Sequence, residues 1–389
     1  MSSENKEVEI NINEKEITDV PLSEIKKESQ EENSQNDIKK DEPVDNSRLK
    51  KICTNRFWLY VLAIICTFLW GSAFPSVKLG YEKFHINKKD LKSIILFAGL
   101  RFTFAGLLII VFYCIIRKQL IIPKLKQLPD IIVLGIIGIT FQYIFFYLGL
   151  SNSTGVKSSI INSLSTFLTV VFAHFIFKND RITIRKSIGC VVGILGVIII
   201  NLGGAIFGTN KDGKKVDISF SFNGEGILML SCLMSATATI IVKILTAKGS
   251  IFKSLRDKEV KEGEKKKPDI IMITGYQMFL GALIIDIIAF IWLIFSPLKP
   301  NENSNEKQYK NVSFAGYVLL IYMSLLSAVA FSIWNTLLRF NKVGKIAFFR
   351  FLIPVFGTLL SGIFLGEDLF KLENFIALIL VCLGVVIVC

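Results

Sequence analysis

The chain has 389 residues, of which 52% are hydrophobic and 20% are charged, and its formal net charge is +13. Residues 1–47 contain 14 Asp and Glu but only 6 Lys, whereas the rest of the chain has a net charge of +21. A polar acidic segment joined to an apolar basic body excludes an ordinary soluble two-domain protein. Basic residues spread along such a body do not by themselves indicate nucleic-acid binding.

The first segment, residues 1–50, is predicted to be a disordered cytoplasmic tail. Its Glu-, Lys-, Asn- and Ser-rich composition buries too little apolar surface to offset the entropy lost on ordering. It has no apolar stretch of the kind found in a secretory signal peptide. A solvated tail is the preferred interpretation, and a regulatory or sorting role is the alternative.

Apolar runs separated by short charged segments follow Arg56. About 20 helical residues cross the hydrocarbon core of a bilayer, and backbone groups in lipid must be satisfied within the segment. The runs therefore predict an all-α integral membrane protein with ten transmembrane helices and the lipid bilayer as its surroundings. The predicted helices are 57–78, 93–116, 130–150, 156–177, 184–203, 225–247, 270–295, 313–338, 346–365 and 372–389.

The distribution of Lys and Arg predicts the orientation of these helices. With the N-terminus inside, the inner segments carry 23 Lys and Arg and the outer loops carry 12. The loop 248–269 alone supplies 8 of the inner ones. We therefore expect a multi-pass protein with both termini cytoplasmic, in the plasma membrane or an internal membrane.

The sequence contains no motif for metal binding, disulfide pairing or ATP binding. The seven cysteines lie in or beside apolar runs without a CxxC pair, and the two histidines form no HExxH motif. No Walker motif is present. We therefore expect no metal and no cofactor, and transport rather than ATP-driven or enzymatic chemistry.

The predicted helices fall into two similar halves. In the first predicted helix, a stretch of small residues ends with Val77-Lys78. In the sixth predicted helix, a similar stretch ends with Val242-Lys243. Further matches in the same order join the second helix to the seventh and the fifth to the tenth. Because five helices is an odd number, the second half enters the membrane from the opposite side, as in transporters built from inverted repeats. The predicted halves are 57–203 and 225–389, joined by a loop at 204–224.

Three motifs resemble the EamA-like branch of the drug/metabolite transporter superfamily. They are Trp70-Gly-Ser-Ala-Phe74, Leu100-Arg-Phe102, and the stretch from Leu352 through Pro354 to Glu367. The resemblance covers residues 57–389 and implies a ten-helix carrier, often an exporter of amino acids or other small metabolites. It does not imply one substrate.

Charged residues inside the predicted helices are candidates for function because each costs about 2.5–3.5 kcal/mol to insert. Lys and Arg dominate, which suits a substrate carboxylate or phosphate. Arg350, one turn before Pro354, is the preferred substrate contact. Arg101 either contacts substrate or makes a structural ion pair. Asp286 either relays a proton or, as the preferred alternative, pairs with Arg101.

Lys78 and Lys243 hold equivalent positions in the two halves. They either extend to the membrane interfaces or act as gates at the two mouths of a cavity. Pro75 and Pro354 are predicted hinges, since a proline inside a helix frees a carbonyl; a static kink is the alternative.

Uncharged side chains complete the predicted substrate site. Trp70 would form a cavity wall, and the others would hold an amine or a hydroxyl unless they serve to join helices. These others are Gln142, Asn162, Gln277 and Asn335.

The sequence therefore predicts a secondary transporter of a small anionic or zwitterionic metabolite, such as an amino acid or organic acid, working by alternating access. An exchanger of sugar phosphates or nucleotide sugars is the alternative within the same class. A membrane scaffold without transport activity and an intramembrane enzyme are less favoured. The expected partners are the small-molecule substrate, the bilayer and, as an open alternative, a second copy of the chain in a homodimer, but no nucleic acid.

Overall fold

The regular structure of the described residues is helical throughout. A computed structural model describes residues 46–86, 90–151, 155–177, 179–206, 222–252, 269–295 and 312–365, and a few helical residues between 376 and 387. Lys50–Cys389 form one unit, distinct from Met1–Leu49. Most of the predicted tail, most of the predicted loop 204–224 and most of the tenth predicted helix lie outside the described residues.

Ten labelled helices, two of them composite, form most of this part of the chain, and the π-helical turn Phe222–Gly226 precedes the seventh. They are α1 (Asn46–Thr54), α2 (Arg56–Lys83), α3 (Leu91–Arg117), α4 (Leu128–Gly135, the π-helical turn Ile136–Phe141 and Gln142–Ser151), α5 (Gly155–Ile176), α6 (Ile184–Ile206), α7 (Ile227–Lys248), α8 (Ile270–Phe295), α9 (Phe314–Phe340) and α10 (Val343–Ala347, the 3₁₀ turn Phe348–Phe351 and Leu352–Leu365).

Side chains and backbone geometry fix several of the helix ends. The side-chain oxygen Oδ1 of Asn55 accepts hydrogen bonds from two backbone N–H groups at the start of α2. Asp269 does the same at the start of α8, and the Ser313 hydroxyl accepts one such bond, from Ala315, at the start of α9. The chain leaves α7 through Gly249, whose φ of 82° favours glycine.

Seven of the described helices are long and apolar enough to cross a membrane. Their outward surfaces carry many exposed Phe, Ile, Leu and Val side chains. The predicted run 156–177 is represented by the shorter apolar segment Leu164–Ile176. The seven candidate spans are Arg56–Lys83, Leu91–Arg117, Leu128–Gly149, Ile227–Lys248, Ile270–Phe295, Phe314–Phe340 and Val343–Phe364.

Two helices are interrupted where the hydropathy pattern predicted continuous runs. α4 contains the π-helical turn Ile136–Phe141, and α10 contains the 3₁₀ turn Phe348–Phe351. Pro354 follows that turn and cannot donate to the carbonyl of Arg350 four residues earlier. By contrast, α2 continues as one helix through Pro75.

Close backbone contacts bring the helices together. A Cβ on Gly71 of α2 would lie 2.6 Å from Cβ of Phe356 in α10, so only glycine permits this approach. α2 packs against α9 and α10, while α7 packs against α4 and α5. α3 and α8 pack against each other. The interior between these pairs holds the residues described next.

Candidate functional site

Arg350 extends from the 3₁₀ turn of α10 into the interior of the bundle. Its Nη2 donates to Oγ of Ser235 in α7 at 3.0 Å. Its Cζ lies 5.9 Å from the ring centroid of Trp70 in α2, within cation–π distance. These contacts join three helices through one side chain. Because the side chain is only half-buried, part of its surface stays open.

A chain of aromatic rings extends from Trp70. Its indole lies 5.1 Å from that of Trp334 and 5.6 Å from the Phe331 ring, both in edge-on geometry. Phe331 contacts Phe102 at 6.4 Å, and Phe102 contacts Tyr143 at 4.2 Å. The rings, Trp70 among them, form an aromatic wall on α2, α3, α4 and α9.

Arg101 lies at the other end of this wall and is almost fully buried, with 5% exposed. Its Nη2 donates to Oγ of Ser327 at 3.2 Å, and its Cζ lies 4.6 Å from the Phe102 centroid. Its Nε is buried without a hydrogen-bond partner. An unsatisfied buried donor costs about 1–3 kcal/mol, so this guanidinium has donor capacity for an additional acceptor.

The preferred ion pair between Arg101 and Asp286 is not formed. The Asp286 carboxylate instead accepts a hydrogen bond from Thr103 at 2.7 Å, and Arg101 is directed to Ser327. Arg101 and Arg350 both act electrostatically on the hydroxyl of Tyr143. Two arginines near one phenol create an electropositive interior, which an anion would stabilise.

The predicted uncharged residues lie in two places. Asn335 on α9 and Gln277 on α8 are both buried. Nδ2 of Asn335 donates to Oγ1 of Thr274 on α8 at 3.0 Å. Oε1 of Gln277 is buried and has no hydrogen-bond partner. Gln142 and Asn162 are half-buried. The backbone carbonyls of these last two accept hydrogen bonds from serine hydroxyls.

Lys243, on α7, lies apart from the aromatic wall and beside the C-terminal end of α9. Its Nζ donates to the carbonyl oxygens of Leu338 at 2.8 Å and Asn341 at 2.6 Å. These carbonyls belong to the last turn of a helix, where a cation interacts favourably with the dipole. Lys78, its counterpart on α2, is exposed.

Further polar contacts join helix ends at the same end of the bundle as Lys243. Asp180 accepts hydrogen bonds from Lys186 and from the backbone N–H of Gly344 at the start of α10. The Asn341 side chain donates to the carbonyl of Cys53. The Lys243 and Asn341 contacts hold α7 and α1 beside the end of α9, and the Asp180 contacts hold the start of α6 beside that of α10.

Ser235, Ser327 and Tyr143 were not among the predicted site residues. Ser235 lies in the small-residue stretch before Lys243 and Tyr143 lies beside Gln142, but nothing in the sequence distinguishes Ser327 from the other serines of α9. Across the described ranges, no three His, Cys, Asp or Glu side chains are grouped so that they could hold a metal ion.

The sequence pattern of the EamA-like transporter family matches residues 57–202 and 262–389, more than half of the chain. The chain belongs to this family. The resemblance predicted from its three motifs is therefore confirmed, and the seven candidate spans agree with a multi-pass membrane protein.

Curated relatives are also named as transporters. An "Uncharacterized transporter" of Archaeoglobus fulgidus is 35% identical over 145 residues, which are 37% of this chain and 47% of the relative. The chain thus spans about half the length of that relative. A "Probable amino-acid metabolite efflux pump" of Escherichia coli is 23% identical over 333 residues, which are 84% of this chain and 93% of the relative.

A solved structure shares the fold of this EamA-like transporter. It is described as the crystal structure of a protein, and it superposes with a TM-score of 0.58 at 16% sequence identity. The match covers 84% of this chain and 94% of that chain. At this identity the likeness concerns the fold alone.

Proposed function

We propose that this EamA-like transporter moves a small anionic or zwitterionic metabolite, an amino acid or an organic acid, by alternating access. The carrying observation is the pair of interior arginines on one aromatic wall, with Nε of Arg101 unpartnered. A carboxylate would accept a hydrogen bond from that donor and offset one of the two positive charges, while the rings accept an apolar substrate part. The name of the Escherichia coli relative supports this class of substrate.

The packing supports the further proposal of ten helices in two inverted halves. In this proposal α2 is equivalent to α7, and α3, α4 and α5 are equivalent to α8, α9 and α10 in that order. Replacing each helix by its equivalent then turns each of these contacts into another observed contact. The contact of α2 with α10 corresponds to that of α7 with α5, and the contact of α2 with α9 to that of α7 with α4. α3 and α8, equivalent to each other, pack together. A pseudo-two-fold axis would produce this arrangement.

One difference between the halves supports a closed inner end. α7 packs against α9 near Lys243, whereas α2 and α4 do not pack comparably within the ranges the structure describes. The excess of Lys and Arg in the inner loops supports an orientation with both termini cytoplasmic, in the plasma membrane or an internal membrane. Lys243 would then be the cytoplasmic gate and Lys78 the gate of the opposite state.

The sugar-phosphate alternative required Lys78, Lys243, Arg101 and Arg350 together as a phosphate clamp. Backbone carbonyls of α9 already engage the Lys243 ammonium, and Lys78 is exposed. The two arginines that remain can bind a carboxylate or a phosphate, but they no longer form the four-residue clamp that this alternative required.

Transport by the purified chain in liposomes tests the proposal. Radiolabelled amino acids, organic acids and sugar phosphates would be offered separately, with empty liposomes as the control. We expect uptake or exchange of at least one carboxylate compound. Uptake restricted to sugar phosphates would establish the alternative, and uptake of none of these compounds would refute both.

Substitution Lys243→Met tests the cytoplasmic gate. It removes the ammonium from the carbonyls of Leu338 and Asn341, which lowers the stability of the closed end by about 1–2 kcal/mol. In a Thr239→Cys background, we expect an impermeant maleimide to label position 239 from the cytoplasmic side about 5- to 30-fold faster. Thr239 is buried one turn from Lys243 on the same helix.

Lys248→Met, at an exposed site in the last turn of α7, is the matched control and should leave the labelling rate unchanged. Equal rates in all three proteins would show that Lys243 only caps α9. Peptide mass spectrometry separates labelling at position 239 from labelling of the native cysteines.

A further inference from the structure

Asp286 presents a carboxyl group in the middle of α8, beside α3. Its Oδ2 accepts a hydrogen bond from Oγ1 of Thr103 at 2.7 Å. Its Oδ1 is buried and has no hydrogen-bond partner. Leu283 and Phe290, which lie on the same face of α8 as Asp286, are exposed, so the carboxyl group lies close to the hydrocarbon.

Gly99 makes room for this carboxyl group. A Cβ at Gly99 would overlap Oδ1 of Asp286 and would lie 2.9 Å from its Cγ and 3.2 Å from its backbone nitrogen. The carboxyl therefore lies directly against the backbone of α3, in a notch that a larger residue would fill. The packing of α3 against α8 therefore provides a fitted position for this carboxyl group.

The charged groups on the helices around α8 are engaged elsewhere. On α3, Arg101 is directed to Ser327, and Arg117 lies at the inner end beside Tyr113 and Asp269. On α4, the Asp130 carboxylate accepts from the backbone of Ile251, and the Tyr143 ring lies on Phe102.

On α9, Arg339 interacts with the Asp269 cluster at the inner end, and Asn335 binds Thr274. Lys92 and Asp90 lie at the outer start of α3, about 10–14 Å along the helix from Gly99. Within the described ranges, no cation comes within 4 Å of the Asp286 carboxylate to form an ion pair.

A carboxylate in this position has a physical reason to bind a proton. Its charge lies near hydrocarbon, where an ionised Asp costs about 2.5–3.5 kcal/mol, and its hydrogen-bond partner is neutral. The Thr103 hydroxyl serves both forms, because it donates to the carboxylate and accepts from the protonated carboxyl. Protonation removes the charge without breaking the link between α3 and α8.

We propose that Asp286, with Thr103 and the Gly99 notch, is a proton-binding site that couples substrate movement to a pH gradient. The proposal rests on the proposed function, since it names the coupling ion of that carrier. The carboxylate takes one proton from water on one side and releases it to the other, with no other bond changed. α3 carries both Thr103 and Arg101, so one helix joins the proton site to the anion site.

The test uses the full chain in liposomes with a substrate found by the transport assay. In wild type, an imposed pH gradient should drive accumulation above equilibrium. In Asp286→Asn, which keeps the shape but cannot ionise, accumulation should fall at least about 10-fold, and exchange at equal pH should become the same at an acidic and a neutral pH. The control is Glu82→Gln, because Glu82 is an exposed acid at the end of α2.

Gradient-driven accumulation by Asp286→Asn at the wild-type level would overturn the proposal, as would a wild type indifferent to the gradient. If the wild type moves no compound at all, the proposed function fails instead. Infrared spectra then test the proton site without substrate: the carbonyl band of a protonated carboxyl in lipid should be present in wild type and lost in Asp286→Asn. Its absence from folded wild type would also refute the site.

Discussion

Replacing Arg350 with glutamine is expected to lower the transport efficiency for a carboxylate substrate by about 30- to 100-fold, because a charge-assisted hydrogen bond contributes about 2–3 kcal/mol. Glutamine retains a donor for Ser235, which Arg350 contacts at 3.0 Å, so the packing between α7 and α10 is retained. It loses the positive charge and the planar fork that suit a carboxylate. Initial uptake rates over a range of substrate concentrations measure the effect.

Two further variants separate the role of the charge from that of the fold. Arg350→Lys keeps the charge without the fork, and we expect it to fall between wild type and Arg350→Gln. Arg185→Gln removes an arginine from an exposed site in α6 and should transport at the wild-type rate. Wild-type uptake by Arg350→Gln would remove this residue from the substrate site, and wild-type thermal stability of the variant would exclude misfolding as the cause of a loss.

The sequence predicts the helices well because lipid leaves the backbone few choices. An apolar run of the length of Ile270–Phe295 must satisfy its own hydrogen bonds, so composition alone indicates a helix. The turns Ile136–Phe141 and Phe348–Phe351 were not predicted, because a shift of one residue in the hydrogen-bond pattern leaves hydropathy unchanged. Pro354 was the available signal near the second of these turns.

The sequence predicts which charges are unusual but not which groups they contact. Arg101 and Arg350 were identified because charges in spans are costly, yet their serine partners are two among many serines in apolar helices. Lys243 and Lys78 look equivalent along the chain. Only tertiary packing brings the end of α9 to Lys243, and only the position of Gly99 opposite α8 distinguishes Asp286 from a partner of Arg101.

Replacing Gly106 with leucine is expected to prevent recovery of the folded protein. A Cβ at Gly106 would lie 2.7 Å from Cα and 2.9 Å from Cβ of Phe279 in α8, and closer still to its backbone nitrogen. Backbone atoms cannot rotate away as a side chain can, so α3 and α8 must separate. The overpacking would cost about 3 kcal/mol or more, at the extensive contact between α3 and α8.

Gly275 provides the matched comparison within the same seam. A Cβ there would meet the side chains of Ile110 at 2.9 Å and Ile109 at 3.1 Å, which can change rotamer. We therefore expect Gly106→Ala to lower the thermal unfolding midpoint in detergent by more than Gly275→Ala does, and Leu107→Ala, at an exposed site, to have little effect. Size-exclusion profiles and unfolding midpoints measure the series. Equal unfolding midpoints for Gly106→Ala and Gly275→Ala would mean that α3 and α8 are not held at this distance. The Gly99 notch would then be wider than the Asp286 carboxyl group needs.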